Sequence, residues 1–222
     1  MINMVFFYWL RYHESMKNPH QKRYNTIAKQ WQDIRTKHDI NQCIVDVIPF
    51  IKSQGHVLDV GCGTGYPIAS YLIKQGFTLT GIDVAEEMLA FAKQLNLPNA
   101  TFLHEDIQTW MSPGTYDAII AFDSLFHLPM ASQVPVLTKL CQWLNPGGIL
   151  LFTHGKKMGE ITGDMFGTTF SYASLDQVDY QHLLTSQGLS LLRVEAPYQH
   201  PSTGSRDLLI VAKKDLHTNF TK

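Results

Sequence analysis

The chain has 222 residues, 45% of them hydrophobic, with 18 basic and 19 acidic side chains for a formal net charge of −1. That length suits one domain with a full α/β core, and the near-neutral balance excludes the global basic field that holds long nucleic acids by their phosphates. Cys43, Cys62 and Cys141 are scattered and lack C-x-x-C spacing, so neither a disulfide framework nor a metal site is expected, and a reducing cytoplasmic setting is.

In chain order, Met1 to Leu10 is strongly apolar but lacks a basic leading segment and an A-x-A-like cleavage site. It is too short to span a bilayer, as is every later run, so no membrane partner is expected. A start at Met16 would remove it, and residues 1–23 are read as a dispensable extension. From Thr26 to Lys37, Ile27, Trp31 and Ile34 recur at helical spacing, and a second helix is expected at about 42–52, before Gly55. Strands then read at about 56–60, 77–82, 101–105, 116–122 and 148–153, with helices at about 67–75, 85–95 and 130–144. Such alternation predicts a parallel sheet with helices on both faces.

Pro67 marks a helix start, and Gly76 and the Pro146-Gly147-Gly148 turn mark stops. Ser174 with Gln177 reads as a capping box before a helix ending near Gly188. Leu189 to Glu195 and Leu208 to Lys213 are two more strands, joined by the turn-rich stretch Pro197 to Ser205 with no helix between them. The expectation is one Rossmann-like α/β domain over 24–214: a seven-stranded, mostly parallel sheet with a C-terminal antiparallel hairpin, then a tail over 215–222. The Lys156-Lys157 and Lys213-Lys214 pairs read as solvated faces.

The chemistry concentrates in Val57-Leu58-Asp59-Val60-Gly61-Cys62-Gly63-Thr64-Gly65, an apolar strand opening into a G-x-G-x-G loop. Glycines let the backbone turn sharply and approach a ligand closely. A dinucleotide site uses G-x-G-x-x-G with a pyrophosphate on the helix N-terminus. Here Asp59 stands two residues upstream, where it would repel a pyrophosphate and suits an ammonium or sulfonium instead. Asp83, ending the second strand, has the two acceptor oxygens a ribose diol needs.

With VLDVGCGTGYP (57–67), LTGIDVAEEML (79–89), HEDIQTW (104–110), YDAIIAFDSLFHL (116–128) and LNPGGILLF (144–152) in this order, the chain resembles the class I S-adenosylmethionine-dependent methyltransferases of the small-molecule type. The resemblance implies S-adenosyl-L-methionine as cofactor. It implies that Asp59 and the backbone of Gly61, Cys62, Gly63 and Gly65 hold the methionine moiety. Asp83 would take the ribose hydroxyls, with Val84 and Met88 near ribose and adenine. Asp106 would accept from the adenine amino group, with Ile107 beside the ring, and Phe122 and Asp123 would face the methionine end and the reacting methyl. Helix or turn capping is the rival role for Asp106, and core packing for Met88. The stretch from Tyr24 to Trp31 resembles the family's helical cap, with Tyr24 either reaching the methionine carboxylate or packing as a core aromatic.

In-line transfer from a sulfonium needs alignment and exclusion of water, and a base only where the acceptor must lose a proton. His127, just past the fourth strand, is the candidate catalytic base, with a structural role as its rival. His154, after the fifth strand, is a weaker candidate. The segment from Gly155 to Ala173 carries Met158, Met165, Phe166, Phe170 and Tyr172, which either line an apolar acceptor pocket or anchor a surface loop. The expected partner is a small organic acceptor rather than a nucleic acid, and the protein a monomer or homodimer. The alternatives are a non-catalytic S-adenosylmethionine-binding protein and a methyltransferase of a protein side chain. A nicotinamide-dependent oxidoreductase is disfavoured by the loop spacing and the final hairpin.

Overall fold

The computed structural model describes residues 18–200 and 204–216, so the expectations for the first seventeen residues, the Met16 start among them, and for the last six lie outside it. Among the described residues, the helices α1 (Pro19–Arg35) and α2 (Gln42–Val47) precede β1 (His56–Val60), α3 (Ile68–Lys74), β2 (Thr78–Asp83), α4 (Glu86–Gln94), β3 (Ala100–His104) and β4 (Tyr116–Ala121). A 3₁₀ turn (Leu125–His127), α5 (Met130–Trp143), β5 (Leu144–His154), the hairpin β6 (Gly159–Met165) and β7 (Thr168–Ser174), and α6 (Gln177–Ser186) follow. The chain then forms β8 (Leu189–Glu195), the short pair β9 (Tyr198–His200) and β10 (Gly204–Arg206), and β11 (Leu208–Lys214).

The main sheet has seven strands in the order β3-β2-β1-β4-β5-β11-β8. Only β11 runs against its neighbours, β5 and β8, so the parallel sheet with a terminal antiparallel strand is as expected. Successive residues of a strand face opposite sides, which splits the core in two. Leu58, Ile119, Leu150, Phe152 and Ile210 pack with Leu137 and Leu140 of α5 on one face. Val57, Leu79, Ile120, Leu151 and Leu209 pack with Ile44 of α2 and Leu72 of α3 on the other. A third cluster joins Ile27 and Ala28 of α1 to Met88 of α4 and Phe170 of β7. It seats α1 at the rim of the sheet.

Several expectations need correction. The first helix starts at Pro19, not Thr26, because Asn18 caps it, its side chain accepting from His20 N at 3.0 Å. Residues 19–23, read as extension, are therefore its first turns. The capping box does not form: Ser174 closes β7, Asp176 is the N-cap, and the Gln177 N–H bonds the Lys156 carbonyl. The segment read as a loop after β5 is the β6–β7 hairpin, turned by Phe166 and Gly167 at φ +52° and +73°. A two-residue turn with both central residues at positive φ matches strand twist; a Phe there, rather than Asn or Asp, hides it from a sequence reader.

Candidate active site

The order of the sheet reverses between β1 and β4, and in such sheets ligands bind outside the carboxyl ends of the strands at that point. A cavity of about 970 Å³, counting its open mouth, lies there. Its floor is the loop after β1 and the ends of β2 and β4; its roof is α1, through Asn18, His20, Tyr24, Trp31 and Arg35.

The loop after β1 is fixed by backbone bonds: Gly61 N and Cys62 N both donate to Ile82 O, at 2.9 and 3.0 Å. Gly61 has φ +75°, and an added Cβ would sit 2.4 Å from Ser124 Cβ, so the loop presses directly on the segment after β4. At Gly63, φ is +54°, and a Cβ would meet only Trp31 Nε1, at 3.7 Å, which leaves that side open to the cavity. Gly65 is not among the residues lining the cavity: an added Cβ there would meet Leu95, Phe102 and Ala92, so it packs the loop onto α4 and β3. Cys62 is buried at the wall, and burial raises its thiol pKa.

The four acids foreseen reach the cavity, each with a different grip. Asp59 is 2% exposed and its Oδ2 has no hydrogen-bond partner among the described residues; burial, then the nearby Asp83 charge, push its pKa up to about 7 against the pull of Arg35. Asp83 is not idle before ligand arrives: Oδ2 accepts from Gly63 N at 2.8 Å and Oδ1 from Ala85 N at 2.9 Å, tying the glycine loop to the start of α4. Burial raises its pKa and those backbone donors oppose the rise. A carboxylate has about four acceptor sites, so with the backbone donors Gly63, Ala85 and Val84 it still keeps capacity for a ligand. Asp106 does the turn capping weighed for it, Oδ1 accepting from Gln108 N at 2.8 Å, while Oδ2 accepts from Asn18 Nδ2 of the roof at 3.1 Å. Asp123 pairs with Arg206 and is taken up below. Val84, Ile107 and Phe122 line the same wall, and Met88 does so while also belonging to the cluster under α1.

Arg35 escaped the sequence reading. It lies at the cavity wall with its guanidinium 5.2 Å from the Trp31 ring centre, and among the described residues it forms no ion pair. Burial lowers its pKa, opposed chiefly by Asp123. His20, Tyr24, Trp31 and Arg35 repeat at helical spacing, so a stripe on one face of α1 was the available signal.

His127 and Tyr24 meet: Tyr24 Oη lies 2.6 Å from His127 Nε2, and His127 Nδ1 lies 3.0 Å from the Ser171 carbonyl. A carbonyl only accepts, so Nδ1 carries the proton and Nε2 accepts from the phenol. Burial lowers the His127 pKa to about 4 despite that carbonyl, with His20, 4.4 Å away between ring centres, adding to the fall. Burial raises the Tyr24 pKa, with Asp83 next in effect. His154 does not reach the cavity. It is buried beneath the 3₁₀ turn, bonded to the Leu125 carbonyl and 2.8 Å from Tyr180 Oη, and burial lowers its pKa to about 3. The hairpin aromatics do not line the cavity either. Phe170 is buried against Tyr24, with ring centres 4.8 Å apart, and Met158 and Phe166 are exposed. Among the described residues no cluster of three or more His, Cys, Asp or Glu is arranged to hold a metal ion, and no helix is long and apolar enough to cross a membrane.

A family model described as a methyltransferase domain matches residues 57–148, which run from the glycine-loop strand to the start of β5. The Bacillus subtilis (strain 168) protein YqeM, which carries a methyltransferase name, is 33% identical over 148 residues, 64% of this chain and 60% of that one. The ubiquinone biosynthesis O-methyltransferase of Vibrio parahaemolyticus is 29% identical over 145 residues, 60% of each chain. The chain thus spans about 60% of the length of these curated relatives. The magnesium protoporphyrin IX methyltransferase of Synechocystis, solved with bound SAM, shares the fold at a TM-score of 0.67 and 20% identity over 90% of this chain and 97% of that one. Residues 57–148 thus match a methyltransferase domain, and the chain shares its fold with solved S-adenosylmethionine-dependent methyltransferases.

Proposed function

We propose that the protein binds S-adenosylmethionine in this cavity and methylates a small organic acceptor. One observation carries the reading: the same cavity holds the buried Asp59 carboxylate and the Arg35 guanidinium, which among the described residues leave an Asp59 oxygen without a hydrogen bond and Arg35 without an ion pair, a complement to an amino-acid zwitterion. Thr64 Oγ1 and Ser124 Oγ, which also line the cavity, are likewise buried without partners among the described residues. Buried polar groups are rarely left unpaired unless a ligand or water completes them. Asp59 suits the ammonium, Arg35 the carboxylate, the free lone pairs of Asp83 the ribose diol, and Asp106 with Ile107 the adenine. Arg35 takes the role first considered for Tyr24, whose hydroxyl is turned to His127.

When bound, the cofactor supplies a methyl group on a sulfonium, which a nucleophile displaces in line. The chain's part is to align, to exclude water and to take a proton. Helix α1 shuts the cavity from above, replacing water with fixed side chains. Tyr24 Oη, its own proton directed at His127 Nε2, presents lone pairs to the cavity. An acceptor hydroxyl or amine passes its proton to Oη as Tyr24 passes its own to Nε2, and the imidazole becomes imidazolium. A His127 held neutral down to about pH 4 keeps that acceptor site vacant at working pH. A small acceptor is favoured by the apolar lining that Leu125, Leu128 and the aromatic side chains of α1 give the cavity.

The test is incubation of the protein with isotopically methyl-labelled S-adenosylmethionine and a metabolite extract. Label in a small-molecule product, identified by mass, is expected. Label found only in protein, or none above a blank, overturns the reading.

A further inference from the structure

Asp123 sits at the carboxyl end of β4 with φ +56°, a backbone region that L side chains rarely adopt. Its carboxylate is nonetheless held at both oxygens. Arg206 Nε donates to Oδ1 at 2.6 Å and Arg206 Nη2 to Oδ2 at 2.5 Å, a two-pronged pair. Thr153 Oγ1, at the end of β5, donates to Oδ1 at 3.0 Å and accepts the Asp123 N–H at 2.8 Å. The Arg206 and Asp123 side chains are 18% and 12% exposed, and the fork of an arginine fixes both carboxylate oxygens in direction as well as in place.

The two partners differ in position. Asp123 lines the cavity; Arg206 does not, and stands outside it on β10 with its guanidinium 5.4 Å from the Phe122 ring centre. Arg35 lines the same cavity and forms no ion pair among the described residues, and Asp123 is the acid that acts on it most strongly. A carboxylate released from Arg206 would turn to that second guanidinium. Arg35 would then be occupied before any ligand arrived.

We infer that Arg206 is a positioning residue: by engaging both oxygens of Asp123 from outside the cavity, it keeps Arg35 open for the carboxylate of the incoming cofactor. The inference rests on the proposed cofactor reading. It gives the short β9–β10 ladder, which projects from between β8 and β11, a role in cofactor affinity without contact with the ligand. The effect is confined to the amino-acid end, since the adenosine end is held by Asp83 and Asp106.

The experiment measures dissociation constants by calorimetry for S-adenosylhomocysteine and for 5′-methylthioadenosine, which shares the adenosine but lacks the amino-acid carboxylate. Arg206→Met is expected to weaken S-adenosylhomocysteine about tenfold and to leave methylthioadenosine within twofold of the wild-type value. Arg206→Lys keeps the charge but loses the fork, so a loss of about threefold, again for S-adenosylhomocysteine alone, is expected; it is the variant read if the Met variant melts near the assay temperature. Equal losses for both ligands would show a merely structural role, and no loss for either would show that Asp123 needs no restraint. Either result overturns the inference and leaves the cofactor reading standing. Failure of the wild-type protein to bind S-adenosylhomocysteine overturns the cofactor reading and this inference with it.

Discussion

The floor and the roof of the cavity are held by different kinds of bond. On the floor, the turn from Gly61 to Gly63 is fastened to the end of β2 by backbone donors: two amides on Ile82 O and a third on Asp83 Oδ2. On the roof, α1 is latched by side chains to partners far along the chain: Asn18 to Asp106, Gln21 to His104, Tyr24 to His127 and Asn25 to the Glu87 amide. Backbone bonds inside a sheet survive most substitutions, whereas each side-chain latch is separately removable. The floor is therefore the side of the cavity fixed by the backbone, and the roof the side whose bonds can be removed one at a time.

The largest effect is expected on the floor, at Asp59. With its pKa raised to about 7, the carboxyl is partly protonated at neutral pH in the unliganded protein. An ammonium needs the ionised form, so affinity for S-adenosylhomocysteine should rise with pH through 7 and fall about tenfold per unit well below it. Stability runs the other way. A carboxyl raised above its unfolded value stabilises the folded state fully below about pH 4, and that contribution is lost as pH rises through 7. Asp59→Asn should weaken binding about a thousandfold, ~4 kcal/mol, as when one partner of a buried charge pair is removed. It should also flatten both pH dependences. Calorimetry and thermal melting between pH 6 and 8 check both; a variant that binds as the wild type would remove Asp59 from the site.

Gly61→Ala comes next. The new Cβ would press on Ser124 in a left-handed backbone, and strain plus overpacking should cost about 3 kcal/mol of stability. Denaturant unfolding without ligand reads this directly. A loss under 1 kcal/mol would mean that the floor yields more easily than its backbone bonds imply.

On the roof, Tyr24→Phe and His127→Ala should each lower kcat about a hundredfold, at the modest end for a proton-accepting group. S-adenosylhomocysteine affinity should stay within about threefold, and the double variant should be little worse than either single one, because the two side chains act as one relay. The roof also reverses the floor's response to acid. His20 and His127 have folded pKa values lowered to about 4, so their contribution is present above about pH 6.5 and lost as pH falls toward 4. Unchanged turnover in the His127 variant would make the pair structural.

The same contrast explains what was legible in the sequence. The floor is local: Asp59, the G-x-G-x-G turn and Asp83 lie within one strand-loop-helix-strand unit, so their spacing betrays the geometry. Gly65 stands apart there, since its outward packing on α4 leaves no mark in the spacing. The roof is assembled from residues that only the fold brings together. No pattern links Tyr24 to His127, or Asp123 to Arg206, which lies in a stretch that reads simply as a turn. Arg35 was visible as the last member of a helical stripe but looked like any charge near a helix end. His154, placed beside a strand end much as His127 is, differs only in the layer into which it is folded.

The smallest effect tests whether the roof is independent of the floor. Asn18 makes two bonds: its carbonyl oxygen caps α1 through the His20 amide, and its amide reaches Asp106 at the adenine end. Asn18→Ala removes both, for about 1 kcal/mol as with other N-cap losses, and a fall in thermal midpoint of about 2–4 °C in a chain of this size. Amides in the first turns of α1 should exchange faster, while those of β1 and β2 keep their protection, because the floor's bonds run through Ile82 and Asp83 and not through the helix. Faster exchange spread evenly over both would make cap and sheet one cooperative unit. Confined to α1, it would show a cap able to lift while the glycine loop stays formed, the order of events that lets a ligand enter a site already shaped for it.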